Sequence, residues 1–201
     1  MRLLPMGATA VLVDDPPADP AAWSLGLRSL GLDGLIDVVP AATTVLIRCG
    51  SDRQLAAAIA RLDDVVPFGA DGAARPAVIT IPVRYDGVDL DEVAQRIGSS
   101  VESVIAVHSG ATYEVAFCGF APGFGYLRGL PSVLHLPRRH TPRTRVPAGS
   151  VAIAAEYSAV YPTQSPGGWH LLGTTDVTLF DPGRVPPALL EPGTIVRFES
   201  A

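Results

Sequence analysis

Lysine is absent from all 201 residues, so arginine supplies all fifteen basic side chains. That absence excludes several chemistries. A P-loop needs a lysine on the nucleotide phosphates, a Schiff-base enzyme needs one as nucleophile, and a biotin carrier needs one to modify. Cysteine is nearly as scarce. Cys49 and Cys118 are distant and set among apolar neighbours, which favours two buried thiols over a disulfide. Histidines at 108, 135, 140 and 170 show no metal-ligand spacing, and neither Cys-x-x-Cys nor His-Glu-x-x-His occurs, so no metal site is expected. No apolar run reaches the length of a membrane span. The formal net charge of −5 gives no reason to expect attraction to nucleic acid or to a membrane surface.

Nucleophiles are no better represented. Ser150 in AGSVA lacks the Gly-x-Ser-x-Gly elbow and stands where a strand should begin. Cys118 lies between Phe117 and Phe120 and reads as core, while His108 and His170 read as packing residues. GFAPGFGYLRG is not a dinucleotide fingerprint, because its glycine spacing is wrong and no long helix follows.

The apolar content suffices for one large or two small domains. Pro5, Gly7, Asp14 and Asp15 interrupt the opening apolar run, so a strand over 8–13 fits better than a leader, and a cytoplasmic protein is expected. A helix follows over 19–30, then strands over 36–39 and 44–48, then a helix over 51–62 with Ser51 as its cap. This order suggests a small α+β domain over 1–76, with the Gly/Ala-rich stretch 68–76 at its boundary. From 77 onward a strand over 77–85 and helices over 89–97 and 100–108 precede a β-rich remainder. Asp89 and Ser100 are placed to cap the two helices. Strands are expected at 113–118, 150–154, 169–172, 178–180 and 195–198, a pattern that favours a barrel over 77–201.

The stretch 117–169 is the richest in chemistry. Glycines at 119, 123, 125 and 129 alternate with Phe117, Phe120, Phe124 and Tyr126, which suits the lining of a pocket or a tight barrel. Arg138, Arg139, Arg143 and Arg145 then stand between prolines at 137, 142 and 147. Guanidinium forks on stiff, extended backbone match a carboxylate or phosphate, and a local excess of positive charge in an acidic chain favours a small anion. Arg139 alone is read as a solvated loop residue. In SPGGW, Pro166, Gly167 and Gly168 form a tight turn, while Ser165 and Trp169 leave room for a small molecule.

GFAPGFGYLRGLP, PRRHTPRTRVPAGSVAIA and YPTQSPGGWHLLGTT resemble the motifs of the allophanate hydrolase subunit 1 family, which includes KipI-type proteins. VRYDGVDLDEVAQRIG, VESVIAVHSGATYEVAF and LFDPGRVPPALLEPGTIVRF extend the resemblance over about 79–198. The resemblance implies an α+β N-terminal domain followed by a mainly-β, cyclophilin-like barrel. It further implies a subunit of a 5-oxoprolinase-like amidohydrolase that opens a small acidic lactam with ATP. On this reading the chain itself binds no cofactor and ATP is used by a partner subunit. The partners implied are a sister subunit like allophanate hydrolase subunit 2 and a LamB/YcsF-type subunit. Two alternatives stand beside it: a KipI-like inhibitor docking a sensor histidine kinase, and half of a carboxyltransferase-like pair acting on biotin carried elsewhere.

Mapped on these motifs, the expected ligand residues are Phe120, Pro122, Gly123, Phe124, Tyr126, Arg138, Arg143, Arg145, Ser150, Ser165, Gly167, Gly168 and Trp169. Phe120, Phe124 and Trp169 are also expected to meet the sister subunit. One stretch departs from the family. Where a Gly-Gly-Gln-Thr-Gly-Ile-Tyr-Pro type of stretch is usual, this chain has Ala155, Glu156, Tyr157, Ser158, Ala159, Val160, Tyr161 and Pro162, and Thr174 stands where arginine is common. If that loop touches ligand, the substrate differs from 5-oxoproline.

Overall fold

The computed structural model describes residues 1–68 and 78–201, and the chain divides into two compact units, Met1–Arg75 and Pro76–Ala201. Apart from Phe68, the boundary stretch 68–76 lies outside the described residues.

The first unit is an antiparallel sheet of β1 (Arg2–Pro5), β2 (Ala10–Asp14), β3 (Leu35–Pro40) and β4 (Thr44–Cys49), in the order β1-β2-β4-β3. Helices α1 (Pro20–Ser29) and α2 (Asp52–Ile59) contribute Trp23, Leu27 and Leu55 to a core shared with Val11, Val13, Val45 and Ile47. Alternation along β2 and β4 fixes which face they bury. Asp19 Oδ1 accepts from the N–H groups of Ala21 and Ala22 (both 3.1 Å), and Ser51 Oγ accepts from that of Gln54 (3.2 Å). Both helices therefore start at side-chain caps. β1 was not legible because Pro5 and Gly7 mask it, yet an edge strand tolerates a proline.

The second unit begins with β5 (Val78–Val83), α3 (Leu90–Ile97) and α4 (Val101–Ser109). It continues through β6 (Thr112–Cys118), β7 (Gly125–Arg128), β8 (Arg143–Val146), β9 (Ser150–Ala154), β10 (Tyr157–Val160), β11 (Ser165–Gly167), β12 (His170–Thr174) and β13 (Ile195–Ser200). Seven of these strands form one sheet, ordered β12-β9-β10-β7-β6-β13-β5. Its two edges meet just beyond β5: Arg84 N–H donates to Thr174 O (2.9 Å) and Thr174 N–H to Arg84 O (2.7 Å). The sheet is therefore a nearly closed barrel. Its interior holds Val83, Val115, Leu127, Val151, Ile153, Leu172, Val196 and Phe198.

Several sequence expectations need correction. Residues 178–180 form no strand, only an isolated bridge between Phe180 and Ala188. The extended backbone expected of the arginine segment includes strand β8, but SPGGW is not simply a turn: β8 and β11 pair as a two-stranded ribbon. Asp89 stands at the N-cap position of α3 but its side chain makes no cap hydrogen bond, whereas Ser100 Oγ does cap α4 through Ser103 N–H (3.2 Å).

Candidate functional site

Strand β9 shows how the site is built. Val151 and Ile153 point into the barrel, while Ala152 and Ala154 point outward into a second cluster with Ala159, Leu171, Val146, Phe124, Tyr161 and Trp169. Small alanines on the outer face leave room for aromatic rings against the sheet. Phe124 packs edge-on against Tyr126 (5.0 Å between centroids), Tyr161 (5.3 Å) and Trp169 (5.7 Å), the favourable geometry for such rings. The ribbon lies beside them, and Gly167 is required there. A Cβ on it would stand 2.2 Å from the Tyr161 hydroxyl.

A recess of about 250 Å³ opens on this surface, walled by Phe120, Phe124, Tyr126, Tyr161 and Trp169, with Arg138, Pro142, Pro166, Gly167 and Gly168 on its other sides. Arg138 is exposed and makes no ion pair among the described residues. Burial pushes the Tyr161 hydroxyl up to about 12, against the pull of the Arg138 guanidinium. The phenol is therefore a neutral hydrogen-bonding group at ordinary pH. Phe120 stands over the recess at φ 69°, a left-handed conformation that is costly for a bulky residue, and the residue is 59% exposed. Such strain in a bulky residue points to function rather than packing.

The expected ligand residues divide between places. Phe120, Phe124, Tyr126, Arg138, Gly167, Gly168 and Trp169 meet at this recess. Arg143, Arg145 and Ser150 line a different cavity of about 250 Å³, beside Asp86 and Thr174. Ser150 Oγ donates to Pro147 O (2.9 Å), and Ser165 Oγ to Thr163 O (3.1 Å). Gly123, at φ 82°, packs on Phe180, and exposed Pro122 lies on the turn between Phe120 and Gly123 outside both cavities. Of the stretch 155–162, Tyr161, which keeps the family's residue, lines the recess and none of the changed positions does, so the departure gives no ground for a substrate other than 5-oxoproline; Thr174 Oγ1 donates to Asp86 (2.9 Å).

Sequence reasoning missed the anchor of the arginines. Asp89 Oδ1 accepts from Arg139 Nη1 (2.8 Å) and Arg143 Nη2 (2.6 Å), and its Oδ2 accepts from Leu171 N–H (2.8 Å). Arg139 also donates to Glu92 (2.6 Å), so it is an anchored residue and not a solvated one. No spacing rule links position 89 to 139 or 143; only the fold does. Phe124 and Trp169 are buried, which corrects their expected role on a subunit surface and leaves Phe120 as the exposed ring.

His108 and Cys118 are quenched by burial. His108 is fully buried, its Nδ1 bonded to Tyr85 Oη (2.8 Å) and its Nε2 to Ser158 Oγ (2.9 Å), and burial lowers its pKa to about 3. Burial pushes the Cys118 thiol up to about 11, and both cysteines are free. Among the described residues no group of histidine, cysteine or carboxylate side chains could hold a metal, and no helix is long and apolar enough to cross a membrane.

Comparisons with known proteins agree on one family. The model of the carboxyltransferase domain, subdomain C and D, matches residues 1–190. The B-type subunit of 5-oxoprolinase from Escherichia coli O157:H7 is 40% identical over 202 residues, covering 96% of this chain and 93% of that protein. The crystal structure of TTHA0988 superposes with a TM-score of 0.82 at 39% identity over 96% of this chain, which spans only 40% of that longer one. Urea carboxylase of Kluyveromyces lactis, at 16% identity and a TM-score of 0.70 over 99% of this chain and 21% of its own, shares the fold. That fold is the one implied for the family, with a cyclophilin-like barrel as its second part. The chain thus belongs to the carboxyltransferase-domain family of subdomains C and D, the family of allophanate hydrolase subunit 1, as a relative of the B-type subunit of 5-oxoprolinase.

Proposed function

We propose that this chain is the subunit of a 5-oxoprolinase-type amidohydrolase that holds a small acidic lactam, with ATP used by a partner subunit. The observation that carries the reading is the aromatic recess rimmed by one uncommitted guanidinium. A five-membered lactam presents flat apolar faces to Phe124, Tyr126 and Trp169, and its carboxylate meets Arg138 in a charge-assisted hydrogen bond. The neutral Tyr161 hydroxyl on the recess wall can donate to an amide carbonyl or accept from its N–H. The names of the relatives support the choice of 5-oxoproline over other lactams.

The division of labour follows from what the chain lacks. It has no lysine for phosphates, and among the described residues no metal cluster and no activated thiol, and His108 is buried and held neutral, yet amide opening coupled to ATP needs such groups. They come from a sister subunit like allophanate hydrolase subunit 2 and from a LamB/YcsF-type subunit. The longer chain of TTHA0988, in which the homologous part is joined to further polypeptide, supports an assembly of this kind.

Calorimetry with 5-oxoproline tests the site. Arg138→Ala should weaken binding by about 1.5–3 kcal/mol, the range for hydrogen bonds to charged groups, while Arg145→Ala should leave it unchanged. Equal effects of the two changes, or none, would move the ligand elsewhere. Turnover with ATP should appear only when the partner subunits are added; ATP-dependent turnover by the isolated chain would refute the division of labour.

A further inference from the structure

We propose that Asp89 is the positioning residue of the recess: this one buried carboxylate grips the arginine segment at both ends and so sets where Arg138 and the glycine wall stand. The inference rests on the recess being the ligand site.

Asp89 is 2% exposed at the start of α3, where an aspartate would ordinarily cap the helix, yet its carboxylate turns away from the helix. It is fastened to β12 twice: its N–H donates to Leu171 O (3.2 Å) and its Oδ2 accepts from Leu171 N–H (2.8 Å). From that fixed point Oδ1 reaches both Arg139 (2.8 Å) and Arg143 (2.6 Å). The span between them carries Pro142 into the recess wall, and Arg138 is the preceding residue. Arg139 N–H also donates to Gly168 O (2.7 Å), and Arg143 is paired with Gly167 across the ribbon. Every non-aromatic wall residue except Pro166 is therefore one bond or one residue from the grip of Asp89. Glu92 cannot replace it, because it is half-exposed, is shared with Arg96, and holds Arg139 but not Arg143.

The electrostatics support the same role. Asp89 and Glu92 together balance Arg139 and Arg143, yet Arg143 still acts on the Tyr161 hydroxyl while held by Asp89. An anion in the recess thus meets the field of a fixed cation as well as Arg138. A rigid, pre-placed donor set loses little freedom on binding, which is how anchoring residues gain affinity without touching ligand.

The test uses the full chain with Asp89→Asn, which keeps an acceptor but removes the charge, and Arg139→Gln as a milder variant should Asp89→Asn fold poorly. Amide exchange of Arg139 and of β8 and β11 should accelerate about tenfold or more, while amides of β9 and β10 keep their protection. Affinity for 5-oxoproline should fall by about tenfold. Val104→Ala, a cavity in the buried face of α4, should lower the melting temperature without changing that affinity. A ribbon that stays protected, an acceleration spread evenly over the barrel, or a loosened ribbon with unchanged affinity would each overturn the proposal. Should the wild-type chain not bind 5-oxoproline at all, the lactam reading falls, while the exchange pattern still decides whether Asp89 holds the wall.

Discussion

Truncating Arg143 separates the two roles an arginine can have near this site. Read from sequence alone, Arg143 and Arg145 together hold a substrate carboxylate, and losing either should cost affinity and little stability. The structure gives Arg143 another partner. Its Nη2 lies 2.6 Å from an Asp89 carboxylate whose side chain is 3% exposed. Breaking a buried pair by removing one partner costs about 3–5 kcal/mol when the remaining charge is stranded. Here Asp89 keeps Arg139 and the Leu171 N–H, and the Arg143 side chain is itself 26% exposed, so water recovers part of the loss. Arg143→Ala should therefore destabilise the second unit by about 2 kcal/mol, below the full cost of a stranded charge. For a unit of this size that corresponds to a fall in melting temperature of roughly 6 °C. Arg145→Ala, which breaks no ion pair among the described residues, should stay within about 0.5 kcal/mol of the parent. Urea titrations followed by circular dichroism of the two variants, beside calorimetry with 5-oxoproline, give both quantities. An Arg143→Ala protein that melts with the parent but has lost its ligand would refute the anchoring argument and restore the carboxylate-binding reading.

Further outcomes follow from single groups. His108 is held neutral by burial with its pKa near 3, whereas an unfolded histidine takes a proton below about pH 6.5. The stabilisation is therefore complete above pH 6.5 and is lost as pH falls toward 3, contributing up to about 1.4 kcal/mol per pH unit; His108→Gln should flatten that slope in melts between pH 6 and 4. Cys118, pushed up to about 11 by burial, should resist iodoacetamide at pH 7.5, and rapid modification there would contradict the placement of its thiol. Ala155 opens the β9–β10 hairpin at φ 50°, so Ala155→Gly should raise stability by about 1 kcal/mol in thermal melts. Phe120→Gly relieves the same kind of strain but removes a recess wall, so it should leave stability near that of the parent and weaken 5-oxoproline binding by about 1 kcal/mol or more.

Much of the scaffold was legible because it follows local rules. Ser51 and Ser100 announced helix starts through their side chains, and both make the expected cap bonds. β-branched runs marked β5, β9 and β13. The strands that escaped notice, β1, β7, β8, β10 and β11, are three or four residues long and contain glycine, arginine, serine or proline, so their identity comes from their partners rather than from pattern. The aromatic half of the site was legible for a related reason. Phe120, Phe124, Tyr126 and Trp169 are large groups separated by glycines, and a chain that spends such residues in a crowded turn is shaping a surface.

The arginines show where sequence reasoning stops. Spaced at 138, 139, 143 and 145, they look like one clamp, because a sequence displays charges and hides counter-charges. The fold divides them by supplying a counter-charge to two and withholding it from two. Asp89 and Glu92, on a helix some fifty residues upstream, hold Arg139 and Arg143. Arg138 and Arg145 make no ion pair among the described residues, and they face different cavities. An unpaired guanidinium beside an aromatic recess can still give its hydrogen bonds to a ligand, whereas one already bound to a buried carboxylate serves better as a fixed source of field. On the proposed reading, function at this site depends on the pairing of its arginines more than on their number, and Asp89, silent in the sequence, decides that pairing.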